Sequence, residues 1–117
     1  MSRVLVIDDD AGFRVLARKM LTASGLTVIG EAENVAAGSS AAEELKPDAA
    51  LVDVMLPDGD GVALARELAA LPWEPRVLLT SSSPDAAVEG DLDGTGVIGF
   101  VPKSELPAAP LDRLLGG

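Results

Sequence analysis

Five short apolar runs, set apart by helical patterns, constrain this chain more than any other feature. They are Arg3-Val4-Leu5-Val6-Ile7, Thr27-Val28-Ile29-Gly30-Glu31, Ala49-Ala50-Leu51-Val52, Arg76-Val77-Leu78-Leu79 and Val97-Ile98-Gly99-Phe100-Val101. Runs of this length bounded by turn signals read as buried strands, and the strand and helix alternation repeats every ~20 to 25 residues. That alternation predicts a parallel sheet with right-handed crossovers and helices on both faces. Open sheets of this kind bind ligands at the carboxyl ends of their strands, so the residues that stop the runs form the candidate site. Asp8-Asp9-Asp10 stop the first, Asp53 the third, Thr80-Ser81 the fourth and Pro102-Lys103 the fifth. Carboxylates, a hydroxyl and an amine are therefore expected in one pocket, with Asp53 at its centre.

Phe13, Leu16, Ala17, Met20 and Leu21 recur at helical spacing, with Asp10 placed to cap the helix and Gly25 to end it. Asn34 is placed to cap a second helix over 35–46, which Gly38, Ser39 and Ser40 weaken and Pro47 closes. After Pro57-Asp58-Gly59, Asp60 caps a third helix over 61–71. Ser83-Pro84 opens a fourth, kept short by Gly90, Gly94 and Gly96. Pro107 and Pro110 cannot both lie inside one regular helix, so a turn is expected after Ser104 and a short helix over 110–115. Asp10, Asp58 and Asp60 are assigned to caps and turns, and Trp73 to packing at the pole opposite the site.

The bulk numbers remove whole classes of function. A length of 117 residues fits one domain spanning 1–117 with its own core. Nine Lys and Arg against 19 Asp and Glu give a formal charge of −10, which disfavours phosphate backbones and anionic lipid. Without Cys or His there is no disulfide, no thiolate metal site and no Ser-His-Asp or Cys-His catalysis. No stretch reads as a signal peptide or membrane span, and a cytoplasmic protein is expected.

Taken together, Val4 through Asp10, Leu51 through Gly61, Val77 through Ser81 and Gly99 through Lys103 make the chain resemble, over essentially its whole length, the receiver domain of bacterial two-component response regulators. The resemblance implies a flavodoxin-like fold with sheet order 2-1-3-4-5. It also implies that Asp53 accepts a phosphoryl group from a sensor histidine kinase. Asp8, Asp9, Asp53 and the carbonyl of Met55 would hold Mg²⁺, Thr80 and Lys103 would bind the phosphoryl group, and Thr80 and Phe100 would form the switch. A downstream effector would meet the face of the fourth helix, fifth strand and fifth helix. No direct contact with nucleic acid or membrane is implied, and a phosphorylation-dependent dimer is left open. Many receivers carry proline directly after the site lysine, whereas here Pro102 precedes Lys103 and Ser104 follows, which puts a cis peptide there in doubt.

The chemistry suits these residues. A carboxylate nucleophile must have its charge offset before an anionic donor approaches, which a hard cation on oxygen ligands and a lysine ammonium supply. Without the cation the clustered carboxylates repel, so at least one pKa is expected to rise and stability to fall as pH rises through it. Phe100 reads equally as core packing. Two further readings are weighed: a pseudo-receiver acting only by docking, and a phosphatase with an aspartate nucleophile, suggested by Asp8-x-Asp10. The second lacks a threonine at Gly12 and an acidic pair after the lysine. Flavin binding would need more than three aromatic residues around the ring.

Overall fold

The computed structural model describes residues 2–82 and 96–116. Its elements are β1 (Arg3–Ile7), α1 (Ala11–Ala23), β2 (Thr27–Ala32), α2 (Val35–Leu45), β3 (Ala49–Asp53), β4 (Met55–Leu56), β5 (Gly59–Asp60), α3 (Gly61–Ala69), β6 (Arg76–Ser81), β7 (Val97–Pro102), a 3₁₀ helix (Lys103–Ala108) and α4 (Leu111–Gly116). The five longer strands form one parallel sheet in the order β2-β1-β3-β6-β7. Counting only these five, the order is the expected 2-1-3-4-5. The two-residue strands β4 and β5 pair antiparallel in a small hairpin just past the end of β3.

Side chains alternate across the sheet and build two core layers. Leu5, Ile7, Val52 and Leu79 face one side, where Leu64 and Leu68 of α3 cover them. Val4, Val6, Leu51 and Leu78 face the other, packed with Phe13, Ala17 and Leu21 of α1 and Leu111 and Leu115 of α4. β3 is buried at all five positions, which is why its sequence is an unbroken apolar run up to Asp53.

The helix starts follow local chemistry. Asp10 accepts from the N–H groups of Gly12 and Phe13, Asn34 from Ala37 and Asp60 from Val62. α1 ends where Leu26 N–H bonds the Leu21 carbonyl and Gly25 N–H bonds that of Thr22, the six-to-one closure expected at Gly25. α2 forms despite its weak propensity. A Cβ at Gly38 would come within 2.8 Å of the Ile7 side chain, so the glycine that costs helix propensity is what lets α2 settle on β1.

Several expectations need correction. Leu16 does not share the buried face of α1; it is 50% exposed, because Phe13, Ala17 and Leu21 already fill the contact with the sheet. α2 stops at Leu45, with Lys46 left-handed (φ 48°), and α3 stops at Ala69. β6 continues through Thr80 and Ser81, both paired with β7. The turn expected after Ser104 is a 3₁₀ helix starting at Lys103, which accommodates Pro107, and α4 follows Pro110. No described peptide bond is cis. Trp73 packs at the far pole, donating from Nε1 to the Pro47 carbonyl at 3.0 Å. The fourth helix expected after Ser83 lies outside the described residues.

Candidate functional site

Parallel pairing aligns the strand ends. Ile7 lies opposite Val52, so Asp8 leaves β1 beside Asp53, and Asp53 is itself in register with Thr80. Ser81 is in register with Pro102, which places Lys103 one residue beyond the end of β7. Four strand ends thus deliver the expected residues to one edge. Asp8 and Thr80 are fully buried and Asp53 is 6% exposed, whereas Asp9 faces solvent. A cavity of about 590 Å³ opens over them, lined among others by Asp9, Phe13, Asp53, Met55, Ser81 and Lys103.

Each buried carboxylate is held at one oxygen by backbone and turns the other toward Lys103. Asp8 Oδ1 accepts from the Asp10 N–H at 2.9 Å and Asp53 Oδ1 from the Met55 N–H at 3.0 Å. Lys103 Nζ lies 2.7 Å from Asp8 Oδ2 and 3.3 Å from Asp53 Oδ2. The Asp8 contact is the closer of the two and lies at the distance of a charge-assisted interaction. Buried Thr80 Oγ1, by contrast, has no partner among the described residues. An unpaired buried hydroxyl is costly and leaves a donor free for a ligand oxygen.

Burial raises the Asp8 carboxyl above its ordinary range, with the nearby Asp53 charge adding to it against the lowering effect of Lys103. This is the direction that carboxylate crowding predicts. The fold then holds a proton at Asp8 more tightly than the unfolded chain does, and loses that stability as pH rises through the raised pKa. Burial works against the Lys103 ammonium, but its contacts with Asp8 and Asp53 outweigh it and the pKa is raised.

Asp8, Asp9 and Asp53 each offer a carboxylate oxygen, all within 4.8 Å of one another. This acidic cluster could hold a metal ion, and an all-oxygen donor set suits a hard divalent cation. Met55 follows Asp53 by two residues at the start of β4, its side chain 69% exposed at the cavity rim. Phe100 does not line the cavity. It is half-buried against the core layer on the α3 side, in register with Leu79 rather than Thr80.

Asp10 lies at the cavity edge but its Oδ1 is committed to the cap of α1, which weakens the Asp8-x-Asp10 phosphatase reading. Three contributors escaped the sequence reading. Phe13 lines the cavity although its spacing marked it only as core. Arg14 donates from Nη1 to the Asp8 carbonyl at 2.6 Å, bracing the acidic turn. Gly61 packs so closely on Asp53 that only hydrogen fits at its Cα. A glycine directly after a capping aspartate was the available signal for the last.

The family model for the response regulator receiver domain matches residues 4–114. The chain is 32% identical over 105 residues to a candidate transcriptional regulator of Pseudomonas aeruginosa, covering 90% of this chain but only 51% of that protein. It thus spans about half the length of that relative. It is 28% identical over 101 residues to the chemotaxis protein CheY of Bacillus subtilis, covering 86% of this chain and 84% of that one. Among solved structures, the signal receiver domain of NarL, a candidate response regulator of Mycobacterium tuberculosis, superimposes with a TM-score of 0.79 at 33% identity, over 97% of this chain and 95% of that one. Among the described residues, no helix is long and apolar enough to cross a membrane.

Proposed function

Because this chain belongs to the response regulator receiver domain family, we propose that residues 1–117 act as a phosphoacceptor in two-component signalling, taking a phosphoryl group on Asp53 from a histidine kinase. A single ammonium bridging Asp8 and Asp53, beside the exposed Asp9, is the observation that carries this reading. In the transfer, an oxygen of Asp53 forms a bond to phosphorus while the bond from phosphorus to the donor breaks. The donor leaves with its electron pair.

Asp8, Asp9, Asp53 and the Met55 carbonyl would hold Mg²⁺. The oxygen-only donors and the Thr80 hydroxyl, without a partner among the described residues, fit such a group and its phosphoryl ligand. When bound, Mg²⁺ offsets negative charge on the reacting oxygens. Lys103 is placed to move from Asp8 toward a phosphoryl oxygen without leaving Asp53, and Thr80 has a hydroxyl ready to donate. Transfer is then mostly positioning and charge neutralisation. The occupied Thr80 and the half-buried Phe100 would bias the face of β7 and α4 toward a downstream effector, so the chain signals rather than turning over an external substrate.

Intact-mass analysis after incubation with a small acyl phosphate and Mg²⁺ tests this reading. A labile gain of one phosphoryl group is expected in the parent and its complete loss in Asp53→Asn. A folded parent that gains nothing from the acyl phosphate or from a panel of histidine kinases would leave the docking pseudo-receiver as the better account.

A further inference from the structure

Phe13 is buried and belongs to the core layer of Val6, Ala17 and Leu106, which by itself asks for no further role. Its ring, however, lies against the Lys103 ammonium, with Nζ 4.1 Å from the ring centroid. Attraction between an ammonium and a ring face operates within about 6 Å and strengthens where water is excluded. The Lys103 side chain is only 14% exposed. The Phe13 backbone is anchored at the helix start, where its N–H donates to the capping Asp10 at 3.2 Å, and its ring is held by the core layer it belongs to.

We infer that Phe13 is a positioning residue for Lys103, its ring face holding the ammonium between Asp8 and Asp53. The consequence for phosphoryl transfer rests on the reading of Asp53 as the acceptor. A lysine stem is flexible, and the contact to Asp8 at 2.7 Å is tighter than that to Asp53 at 3.3 Å. Those two contacts alone leave the charge free to close on Asp8 and abandon Asp53. A ring face attracts the cation from a third side yet provides no conventional acceptor. It fixes the charge without competing for the N–H donors that arriving phosphoryl oxygens need. Leucine at this position would keep most of the packing and lose this attraction.

A graded fluorination series at Phe13, introduced site-specifically, separates the two roles, because successive fluorines weaken the ring's negative face while changing its volume little. Two readouts are taken: the initial rate of phosphoryl uptake from an acyl phosphate with Mg²⁺, and the mobility of the Lys103 Cε methylene by ¹³C relaxation. The chain contains only Lys19, Lys46 and Lys103, so Lys103→Arg assigns the signal. Expected is a stepwise fall in rate, reaching about threefold to tenfold for the trifluoro ring, together with a stepwise rise in Cε mobility. Flat rates and flat mobility across the series, with a loss only in Phe13→Leu, would reduce Phe13 to packing and overturn the inference. If the parent takes up no phosphoryl group from the acyl phosphate or from a panel of histidine kinases, the reading of Asp53 fails separately, and Cε mobility alone decides the role of Phe13.

Discussion

A Cβ on Gly61 would stand 1.8 Å from the Asp53 carbonyl oxygen and 2.8 Å from that of Val54. The Gly61 N–H also bonds the Val54 carbonyl at 2.9 Å, closing the turn that fixes Asp53 from behind. Both contacts are backbone, so no side chain can swing aside. Gly61→Ala should lower stability by about 3 kcal/mol, read as a shift in urea midpoint, and slow phosphoryl uptake as well. Lys103 governs the site differently. Lys103→Met leaves the Asp8 and Asp53 carboxylates facing each other without a counter-charge, a loss of about 3 kcal/mol in the absence of metal. The same change removes a competing cation, so Mg²⁺ should bind more tightly by calorimetry and recover much of that stability. Mg²⁺ affinity that is unchanged or weaker would show that the ammonium does not compete for these oxygens. The acids were legible because each ends an apolar run. Phe13 was not, since a buried aromatic at helical spacing looks the same whether or not a charge rests on its face.

The elements show where local signals suffice and where they stop. The caps at Asp10, Asn34 and Asp60 bond N–H groups two or three residues on, and a sequence displays such spacing directly. Asp58 reads as a turn residue and is one, but its carboxylate also reaches the first turn of α2, accepting from Val35 N–H at 2.7 Å and Ala36 N–H at 3.1 Å. No local pattern encodes a partner 23 residues away; it exists because the β4–β5 hairpin and the start of α2 meet after folding. The bond from Val35 N–H, with that from Ala36 beside it, lowers the Asp58 pKa. A lowered pKa gives stability that is present above the unfolded value, about 4, and disappears as pH falls through the folded value. Asp58→Ala should therefore melt below the parent at pH 7, with the gap closing as both are taken below pH ~3. A gap that persists at low pH would assign the effect to the turn itself rather than to the charged cap.

At the scale of the whole molecule, the parallel sheet and the edge that carries the site were legible, because alternation of strand and helix sets all the strand ends on one side, whereas the order of the strands was implied only by the resemblance to receiver domains. The 3₁₀ helix at Lys103 and the exposure of Leu16 were not legible, since both depend on how much core the neighbouring elements already fill. The net charge of −10 acts over the whole surface and resists compaction. Any salt should relieve that repulsion modestly, because at ~0.15 M exposed charges beyond roughly 8 Å are screened. Mg²⁺ has this general effect too, so stabilisation by Mg²⁺ alone would not establish a site. The two effects differ in their dependence on Asp9, whose exposed carboxylate carries one charge of many but is one of the three clustered carboxylates that could hold the ion. At matched ionic strength, millimolar Mg²⁺ should raise Tm above the sodium chloride control in the parent, since a ligand that binds only the fold stabilises it by mass action. Asp9→Asn should keep the sodium chloride response and lose most of the Mg²⁺ excess. If the excess survives in Asp9→Asn, the cation acts on the general acidity of the surface and the three-carboxylate site is not where it binds.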